Sequence, residues 1–279
     1  MRKLAAFAGI SFRAKTGVLG GGNAAPQKRT DTMAKVREER VGELDVVLTG
    51  GSDGLGGGSG PLVVLLHGFG APGTDLVGLT SMLEVPPLTR FAFPAAPISL
   101  TSGQERGFEM MDARAWWQID VERLQMQLMS GRVDRLAAEV PDGLAEARRK
   151  ILGTLDALER GLGVPPGQMV LGGFSQGAML STDVMLRGCR NLAGVVLWSG
   201  TIIAENEWRP LLSTTAGRPV LQSHGVMDPL LPFEQAERLR DHLLGAGAKL
   251  DFVAFRGGHE IPELVLHKTS AFLQRVLLT

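Results

Sequence analysis

The sequence predicts an α/β fold in which a mostly parallel central sheet carries helices on both faces. Short continuous apolar runs, typical of strands buried on both faces, alternate with segments that have the apolar period of amphipathic helices. Strands that alternate with helices indicate βαβ units, and therefore parallel strands. The 279 residues are 44% hydrophobic and 21% charged, a composition that favours a folded globular protein.

The start of the chain does not fit this alternation. Residues 16–39 are rich in Gly, Ala, Lys and Arg without a sustained apolar period. This composition predicts a flexible N-terminal extension over residues 1–40, in front of a single domain over residues 41–279. The apolar run at residues 4–10 is soon followed by basic residues and by no clear small-residue cleavage site, so a signal peptide is not expected.

The first elements of the domain are a strand and a glycine-rich segment. Residues 41–48 mix apolar and acidic side chains as an edge strand would, and residues 50–60 (GGSDGLGGGSG) predict a flexible hairpin loop. A phosphate-cradling loop is the alternative. It is disfavoured because the chain has no GxxxxGK[ST] and because a strand, not a helix, follows these glycines.

The later elements are predicted from apolar periodicity. The predicted strands are residues 61–66, 169–171, 193–198, 219–222 and 250–255, and the predicted helices are residues 143–159, 177–187, 234–244 and 263–278. Residues 110–140 are less regular and contain the adjacent Trp116 and Trp117. Core packing explains most such residues, but an inserted helical segment often covers the ligand crevice of such a sheet. We therefore take these two tryptophans as candidates for a substrate-pocket wall.

Charge and cysteine content exclude several kinds of protein. Lys plus Arg and Asp plus Glu balance at a formal net charge of zero, which gives no electrostatic reason to expect a nucleic-acid partner. Cys189 is the single cysteine, so neither an internal disulfide nor a thiolate metal cluster can form, as is usual in the reducing cytoplasm. No run approaches the roughly 18 apolar residues of a membrane span. We expect a cytoplasmic protein without an integral membrane segment.

The most informative motif is Gly173-Phe174-Ser175-Gln176-Gly177, a GxSxG sequence between the apolar strand QMVLG and a helical segment. In this strand–turn–helix context the serine sits in a strained turn that exposes its Oγ above the sheet edge. Any side chain at either glycine would collide with a neighbouring strand or helix. Ser175 is therefore the candidate nucleophile.

A serine nucleophile needs a histidine base and an acid, which follow the serine in that fold in the order acid, then histidine. His259 follows the last predicted strand in a loop with two glycines, and Asp228 follows the preceding strand. Both loops emerge at the carboxyl ends of strands, the edge that also carries Ser175. The alternative for Asp228 is a turn residue before Pro229.

The other histidines fit the role of base less well. His242 and His267 lie in helical patterns near charged residues, where a solvated surface position is favoured. His224 ends the strand PVLQS. His67 precedes the serine in the chain, so a role in bracing its loop is favoured.

A tetrahedral intermediate also needs two preorganised N–H donors. One is the backbone of Gln176, the residue after the nucleophile. The other comes from the loop after the strand PLVVLL, which reads HGFGAPG, and Phe69 N–H is the candidate.

Four motifs in this order, HGFGAPG, GFSQGA, HGVMDPLLP and GGHEIP, resemble the phospholipase/carboxylesterase family of α/β-hydrolases. The similarity covers roughly residues 62–279, and FPAAPISL followed by DARAWWQID also resembles the segment between the family's oxyanion loop and elbow.

The resemblance implies the α/β-hydrolase fold, a triad of Ser175, His259 and Asp228, and oxyanion donors at Phe69 and Gln176. It implies hydrolysis of small-molecule carboxylic esters or thioesters without a metal or organic cofactor, and it is compatible with a homodimer. A carboxylesterase for short to medium acyl chains is the first interpretation. Acyl-protein thioesterase or lysophospholipase activity uses the same machinery and is the alternative.

Two other classes of protein share some of these features. His259-Glu260 begins like the metal motif HExxH, but position 263 is Glu263 and Pro262 would break the shared helix, so no metal site is expected. A catalytically silent α/β-hydrolase used for binding is the other, because fold does not guarantee function. The presence of all three triad candidates argues against it.

Overall fold

The computed structural model describes residues 35–101, 112–130, 133–188 and 190–278. Cys189 and most of the predicted N-terminal extension lie outside these residues. Within them, the strands are β1 Arg37–Val41, β2 Leu44–Gly51, β3 Leu55–Gly57, β4 Leu62–Leu66, β5 Arg90–Pro94, β6 Ile98–Ser99, β7 Arg114–Ala115, β8 Met169–Phe174, β9 Gly194–Trp198, β10 Pro219–Gly225 and β11 Lys249–Phe255. The helices are α1 Val121–Met129, α2 Val133–Ala138, α3 Leu144–Leu162, α4 Gln176–Arg187, α5 Glu205–Trp208, α6 Phe233–Gly245 and α7 Glu263–Leu277.

The central sheet has the strand order β1-β2-β5-β4-β8-β9-β10-β11, with β3 paired to β2. The strands from β5 to β11 in this order are parallel, whereas β1–β2 and β2–β5 are antiparallel pairs. This confirms the predicted mostly parallel α/β sheet. The chain passes from β4 to β5 on one side and later to β8 on the other. The loops after β4 and β8 therefore diverge at a topological switch point, where open sheets of this kind form their crevices.

The core lies on both faces of the sheet, because side chains alternate along each strand. Leu62, Val64 and Leu66 of β4 belong to one buried apolar cluster, and Val63 and Leu65 belong to the other. α3, α4 and α6 contribute to the first cluster and α7 to the second. Burial on both faces explains why β4 reads as an uninterrupted apolar run. No helix of the described segments is long and apolar enough to cross a membrane.

The N-terminal elements differ from the prediction. β1 begins at Arg37, ahead of the expected domain boundary at Val41, and the segment expected to be one strand contains a turn, because Val41 pairs with Leu44. Gly42 in this turn has φ +60°, a conformation that glycine adopts without strain. The edge strand is therefore β1, and β2 lies one position further inside the sheet.

The glycine-rich segment is ordered, so the prediction of a flexible loop was wrong. It contains the end of β2 and the short strand β3. The Asp53 carboxylate accepts hydrogen bonds from the N–H groups of Leu55 (2.7 Å) and Gly57 (2.9 Å). Side chain–backbone bonds of this kind tie a loop down where composition alone predicts mobility.

The strand β5 was not predicted from periodicity. It begins with Arg90, which is 1% exposed, and it ends at Pro94, so a charge and a ring without an N–H interrupt the apolar pattern. The buried guanidinium donates to the carbonyl oxygens of Gly58 (2.8 Å), Gly60 (2.8 Å) and Leu162 (2.9 Å). These bonds replace the water that an arginine loses on burial, and only the tertiary structure supplies them.

Candidate active site

Ser175 lies in the sharp turn between β8 and α4. Its φ of +55° is in the region that favours glycine, so the backbone is strained there. Its N–H donates to the carbonyl of Trp198 on β9 (2.9 Å), which holds the turn against the neighbouring strand. The side chain therefore stands at the carboxyl edge of the sheet and at the amino end of α4, where the helix dipole favours a developing negative charge.

The two glycines of the motif are needed for close approach. A Cβ on Gly173 would lie 2.6 Å from the carbonyl oxygen of Leu66, and a Cβ on Gly177 would lie 2.1 Å from the same oxygen. The elbow is thus pressed against the end of β4. This close approach is the physical reason for glycine at both positions.

Asp228 and His259 meet at the same edge. The Nδ1 atom of His259 donates to Oδ2 of Asp228 over 2.7 Å, while Oδ1 accepts the N–H groups of Leu230 (2.9 Å) and Leu231 (3.0 Å). The Asp228 side chain is fully buried, and that of His259 is 11% exposed. A carboxylate held in this way fixes the orientation and tautomer of the imidazole, with Nε2 left to face away from the acid.

The charge of Asp228 is kept by its partners. Burial by itself would raise the pKa of this carboxyl, but the hydrogen bond and charge of His259, together with the two backbone N–H donors, hold the pKa below its ordinary value of 3.8. Asp228 is therefore ionised at neutral pH.

His259 lies next to the elbow. The rings of His259 and Phe174 are 4.7 Å apart between centroids, and Phe174 directly precedes Ser175. The loop after β4 also approaches the elbow, since a Cβ on Gly68 would lie 3.4 Å from Cβ of Ser175. The structure thus brings together the three loops that carry Ser175, His259 and the predicted oxyanion donor Phe69.

The loop of Phe69 is tied to β7. Gly70 N–H donates to the carbonyl of Arg114 (2.8 Å), and Arg114 N–H donates to the carbonyl of Ala71 (3.1 Å). Phe69 itself is buried, 4% exposed. The path of this loop is therefore set by backbone hydrogen bonds to β7.

His67 braces the start of the same loop, as the sequence suggested. Its Nε2 accepts the N–H of Ala96 (3.0 Å), so Nδ1 carries the proton and donates to the carbonyl of Gly68 (2.8 Å). Burial lowers the pKa of His67 to about 4, against a smaller opposing effect of the bond to Gly68, so the ring is neutral at pH 7.

The Gln176 side chain reaches across to the segment after β7. Its Oε1 accepts the N–H of Trp116 (2.9 Å), and its Nε2 donates to the carbonyl of Trp117 (2.8 Å). Trp116 in turn donates its indole N–H to the carbonyl of His67 (3.0 Å). The sequence pointed to the Gln176 backbone alone. The contacts of its side chain were missed because they join residues far apart in the chain.

The two tryptophans differ in position. Trp117 lines a cavity of about 330 Å³ between α1 and α4, whose apolar wall also includes Leu124, Met179, Ile202, Ile203 and Leu231. Trp116 is 1% exposed and does not line this cavity. Its ring packs 5.5 Å from that of His67, between centroids, because its N–H finds a buried acceptor there.

His224 is a residue of the site that sequence reasoning left without a role. It is fully buried at the end of β10, where its Nε2 lies 2.9 Å from the carbonyl oxygen of Leu231 and 3.3 Å from Oδ2 of Asp228. Burial lowers its pKa. Its place directly before the acid loop was the available signal.

The two remaining histidines lie elsewhere. His267 is 70% exposed on α7, as predicted for a surface position. His242 on α6 is more enclosed than predicted, since its Nε2 lies 2.8 Å from Oε1 of the buried Glu205.

The chain is similar in sequence and in structure to known esterases and thioesterases. The family model described as Phospholipase/Carboxylesterase matches residues 58–277. A protein of Oryza sativa subsp. japonica named as a probable carboxylesterase is 29% identical over 219 residues, which cover 77% of each chain. An acyl-protein thioesterase 1 of Cryptococcus neoformans is 29% identical over 187 residues, covering 65% of this chain and 72% of the relative. The crystal structure of esterase PE8 superposes with a TM-score of 0.66 at 28% identity, covering 82% of this chain and 97% of that one.

Proposed function

The chain belongs to the phospholipase/carboxylesterase family and is a carboxylic ester hydrolase, and from this premise we propose that it works through a triad of Ser175, His259 and Asp228. The observation that carries the proposal is the 2.7 Å hydrogen bond from His259 Nδ1 to Asp228 Oδ2, beside a serine in a strained elbow. An acid, a base and a nucleophile then stand in the roles that acyl transfer requires.

The reaction begins when Nε2 of His259 takes the proton of the Ser175 hydroxyl as its oxygen attacks the acyl carbonyl. The imidazolium that forms is stabilised by the ionised Asp228 carboxylate. The oxyanion is bound by the backbone N–H groups of Phe69 and Gln176, which supply charge stabilisation without reorganisation. His259 then protonates the leaving alcohol or thiol, and the acyl group remains on Ser175.

Water completes the cycle. It is deprotonated by His259 and attacks the acyl-enzyme, and collapse of the second tetrahedral intermediate releases the acid and restores the serine. No metal or organic cofactor is required for these steps.

The cavity beside Trp117 is the proposed acyl pocket. Two of its lining residues are close in the chain to proposed triad residues, since Met179 lies on α4 four residues after Ser175 and Leu231 lies three residues after Asp228. The apolar side chains of this cavity of about 330 Å³ suit a short to medium acyl chain, although charged side chains such as Asp120 and Arg123 also line it. A small-molecule carboxylic ester is therefore the proposed substrate class.

A thioester substrate is the second candidate. It is favoured by the similarity to a fungal protein named acyl-protein thioesterase 1. The same triad serves both reactions, because a thiol is protonated on leaving as an alcohol is. A lysophospholipid is the third substrate class that this machinery fits. The cytoplasmic location, the homodimer and the organisation as a single domain stay predictions from the sequence.

The test is hydrolysis of p-nitrophenyl esters of increasing chain length by the wild type and by Ser175→Ala. Loss of the nucleophile is expected to lower kcat by roughly 10⁴- to 10⁶-fold while the thermal unfolding temperature stays within a few degrees. Ser181→Ala is the matched control, because Ser181 is a buried serine on the same helix whose Oγ bonds only locally to the Gly177 carbonyl (2.8 Å).

A fluorophosphonate probe adds a direct readout. The wild type and Ser181→Ala should be labelled, and Ser175→Ala should not, because only an activated serine reacts. An active or labelled Ser175→Ala variant would show that another residue is the nucleophile. Thioester and lysophospholipid substrates run beside the p-nitrophenyl esters would rank the three substrate classes by kcat/KM.

A further inference from the structure

A continuous chain of hydrogen bonds joins the two halves of the proposed oxyanion hole. It starts at the Gln176 side chain, passes through the backbone and the indole of Trp116, and reaches the carbonyl of His67. The His67 imidazole continues it to the carbonyl of Gly68, directly before Phe69. Each of these bonds is 2.8–3.0 Å long.

The members of the chain are shielded from water. Gln176, Trp116 and His67 are each 1% exposed. A buried donor or acceptor that loses its partner has no water to replace it, so each bond is costly to break. The hydrogen-bonded chain is therefore rigid, and it joins the start of α4 to the segment after β7 and to the loop after β4.

We propose that this chain holds the N–H groups of Gln176 and Phe69 at a fixed separation, and that Trp116 is the positioning residue at its centre. The proposal rests on the proposed function, since it assigns a role to groups behind the two oxyanion donors. Trp116 does not touch the substrate. Its indole binds the loop after β4 through the His67 carbonyl, and its backbone is bound by the Gln176 side chain. The positions of both N–H donors are therefore fixed relative to the same segment.

The expected consequence follows from how an oxyanion hole works. Its donors act on the transition state because they are already in place when the charge develops. A shift of about 1 Å in a positioned group costs roughly 10²-fold in rate even when the change lies away from the chemistry. Loss of the indole N–H should therefore lower kcat while substrate binding in the proposed acyl pocket, which Trp117 lines and Trp116 does not, is retained.

The first variant is Trp116→Phe, which keeps an aromatic ring and removes the donor to His67. We expect kcat for p-nitrophenyl butyrate to fall about 10- to 100-fold and KM to stay within about threefold. Trp208→Phe is the matched control, because Trp208 is also 1% exposed and donates its indole N–H to Asp183 (2.9 Å), about two turns along α4 from Gln176. Its kcat should equal that of the wild type.

A thionoester substrate distinguishes a displaced oxyanion hole from general damage. Sulfur is a weak hydrogen-bond acceptor, so a thionoester gains little from the hole and has little to lose. In Trp116→Phe the ratio of ester to thionoester kcat/KM should fall about tenfold below that of the wild type. Equal losses on both substrates would overturn the proposal, as would a wild-type kcat with only a lower unfolding temperature.

Gln176→Met provides a second route if Trp116→Phe does not fold. Methionine has a similar length and keeps the backbone N–H, but it removes both side-chain bonds to the tryptophan segment. The same fall in the ester to thionoester ratio is expected. An unchanged ratio would contradict the proposal that this hydrogen-bond chain, here called the brace, positions the two N–H donors. Ser175→Ala distinguishes failure of this proposal from failure of the proposed function. If Ser175→Ala is inactive while Trp116→Phe and Gln176→Met are fully active, only the proposal about the hydrogen-bond chain is wrong. If Ser175→Ala is active, both proposals fail.

Discussion

The Nδ1 atom of His259 lies 2.7 Å from Oδ2 of Asp228, although 31 residues separate the two along the chain. The contact follows from the sheet, because β10 and β11 are parallel neighbours in which Gly225 pairs with Phe255. Beyond this pair the two loops stay joined, since Val226 N–H donates to the carbonyl of Phe255 (2.9 Å). The register of β10 and β11 therefore brings Asp228 and His259 into contact.

Replacement of Asp228 by Asn should leave the fold and remove most of the activity. The amide can still accept the backbone N–H groups of Leu230 and Leu231, but its NH₂ favours the imidazole tautomer that carries the proton on Nε2. That tautomer cannot take the serine proton, so we expect kcat at neutral pH to fall about 10⁴-fold. Asp241→Asn, an acid-to-amide change on the surface of α6, is the control; more than a tenth of wild-type activity in Asp228→Asn would contradict the assigned role.

Two glycine-to-alanine changes should have opposite effects on stability. In Gly177→Ala the new Cβ would lie 2.1 Å from the Leu66 carbonyl, and we expect the free energy of unfolding to fall by about 3 kcal/mol or more. Gly153 lies in the middle of α3 with nothing within 4 Å of a Cβ, so Gly153→Ala should raise it by about 0.5–1 kcal/mol. Urea unfolding of both variants measures the difference. A stable Gly177→Ala would mean that the elbow can move away from β4.

His67 should make the protein less stable in mild acid. Burial lowers its pKa to about 4 in the folded state, helped by the charge of Arg114, whereas the unfolded chain binds the proton near pH 6.5. Between these values the unfolded state holds more protons, so the free energy of unfolding falls as the pH drops from about 6.5 to about 4. The pKa difference corresponds to about 3 kcal/mol over that window. Burial lowers the pKa of His224 as well, which acts in the same direction.

Urea unfolding at about pH 7 and about pH 4.5 tests this dependence. His67→Asn should have a smaller difference between the two pH values than the wild type, whatever its absolute stability. His267→Gln on the surface of α7 is the control and should keep the wild-type difference. If the free energy of unfolding of His67→Asn changed between the two pH values as much as that of the wild type, groups other than His67 would be responsible for the pH dependence.

Narrowing the cavity should shorten the preferred acyl chain. Leu124 on α1 lines the cavity and is only half-buried, so Leu124→Trp fills the space with little change to the core. We expect kcat/KM for a p-nitrophenyl dodecanoate to fall about tenfold or more and that for the acetate to stay within about twofold, because each buried methylene contributes roughly 1 kcal/mol. Met126→Trp, at an exposed position on the same helix, should leave the ratio unchanged. A proportional loss on both esters in Leu124→Trp would argue against this cavity as the acyl pocket.

The elements that could be predicted are those whose residues form a local sequence pattern. Strands buried on both faces, such as β4, read as continuous apolar runs because neighbours cover both sides. β5 was not predicted because its first and last residues are Arg90 and Pro94. The carbonyl groups that accept hydrogen bonds from Arg90 come from distant segments. The ordered glycine-rich segment escaped prediction for the same reason, since composition does not show what a loop is bonded to.

The sequence by itself determined the α/β class and the elbow motif, because apolar periodicity and the need for glycine at a close approach are local properties of the chain. It also set the order of serine, acid and histidine along the strands. Only the tertiary structure decided which tryptophan faces the cavity and which one braces the loop of His67. That choice depends on which buried acceptor lies within reach of each indole N–H, and such acceptors are brought there by strand order and packing between residues far apart in the chain.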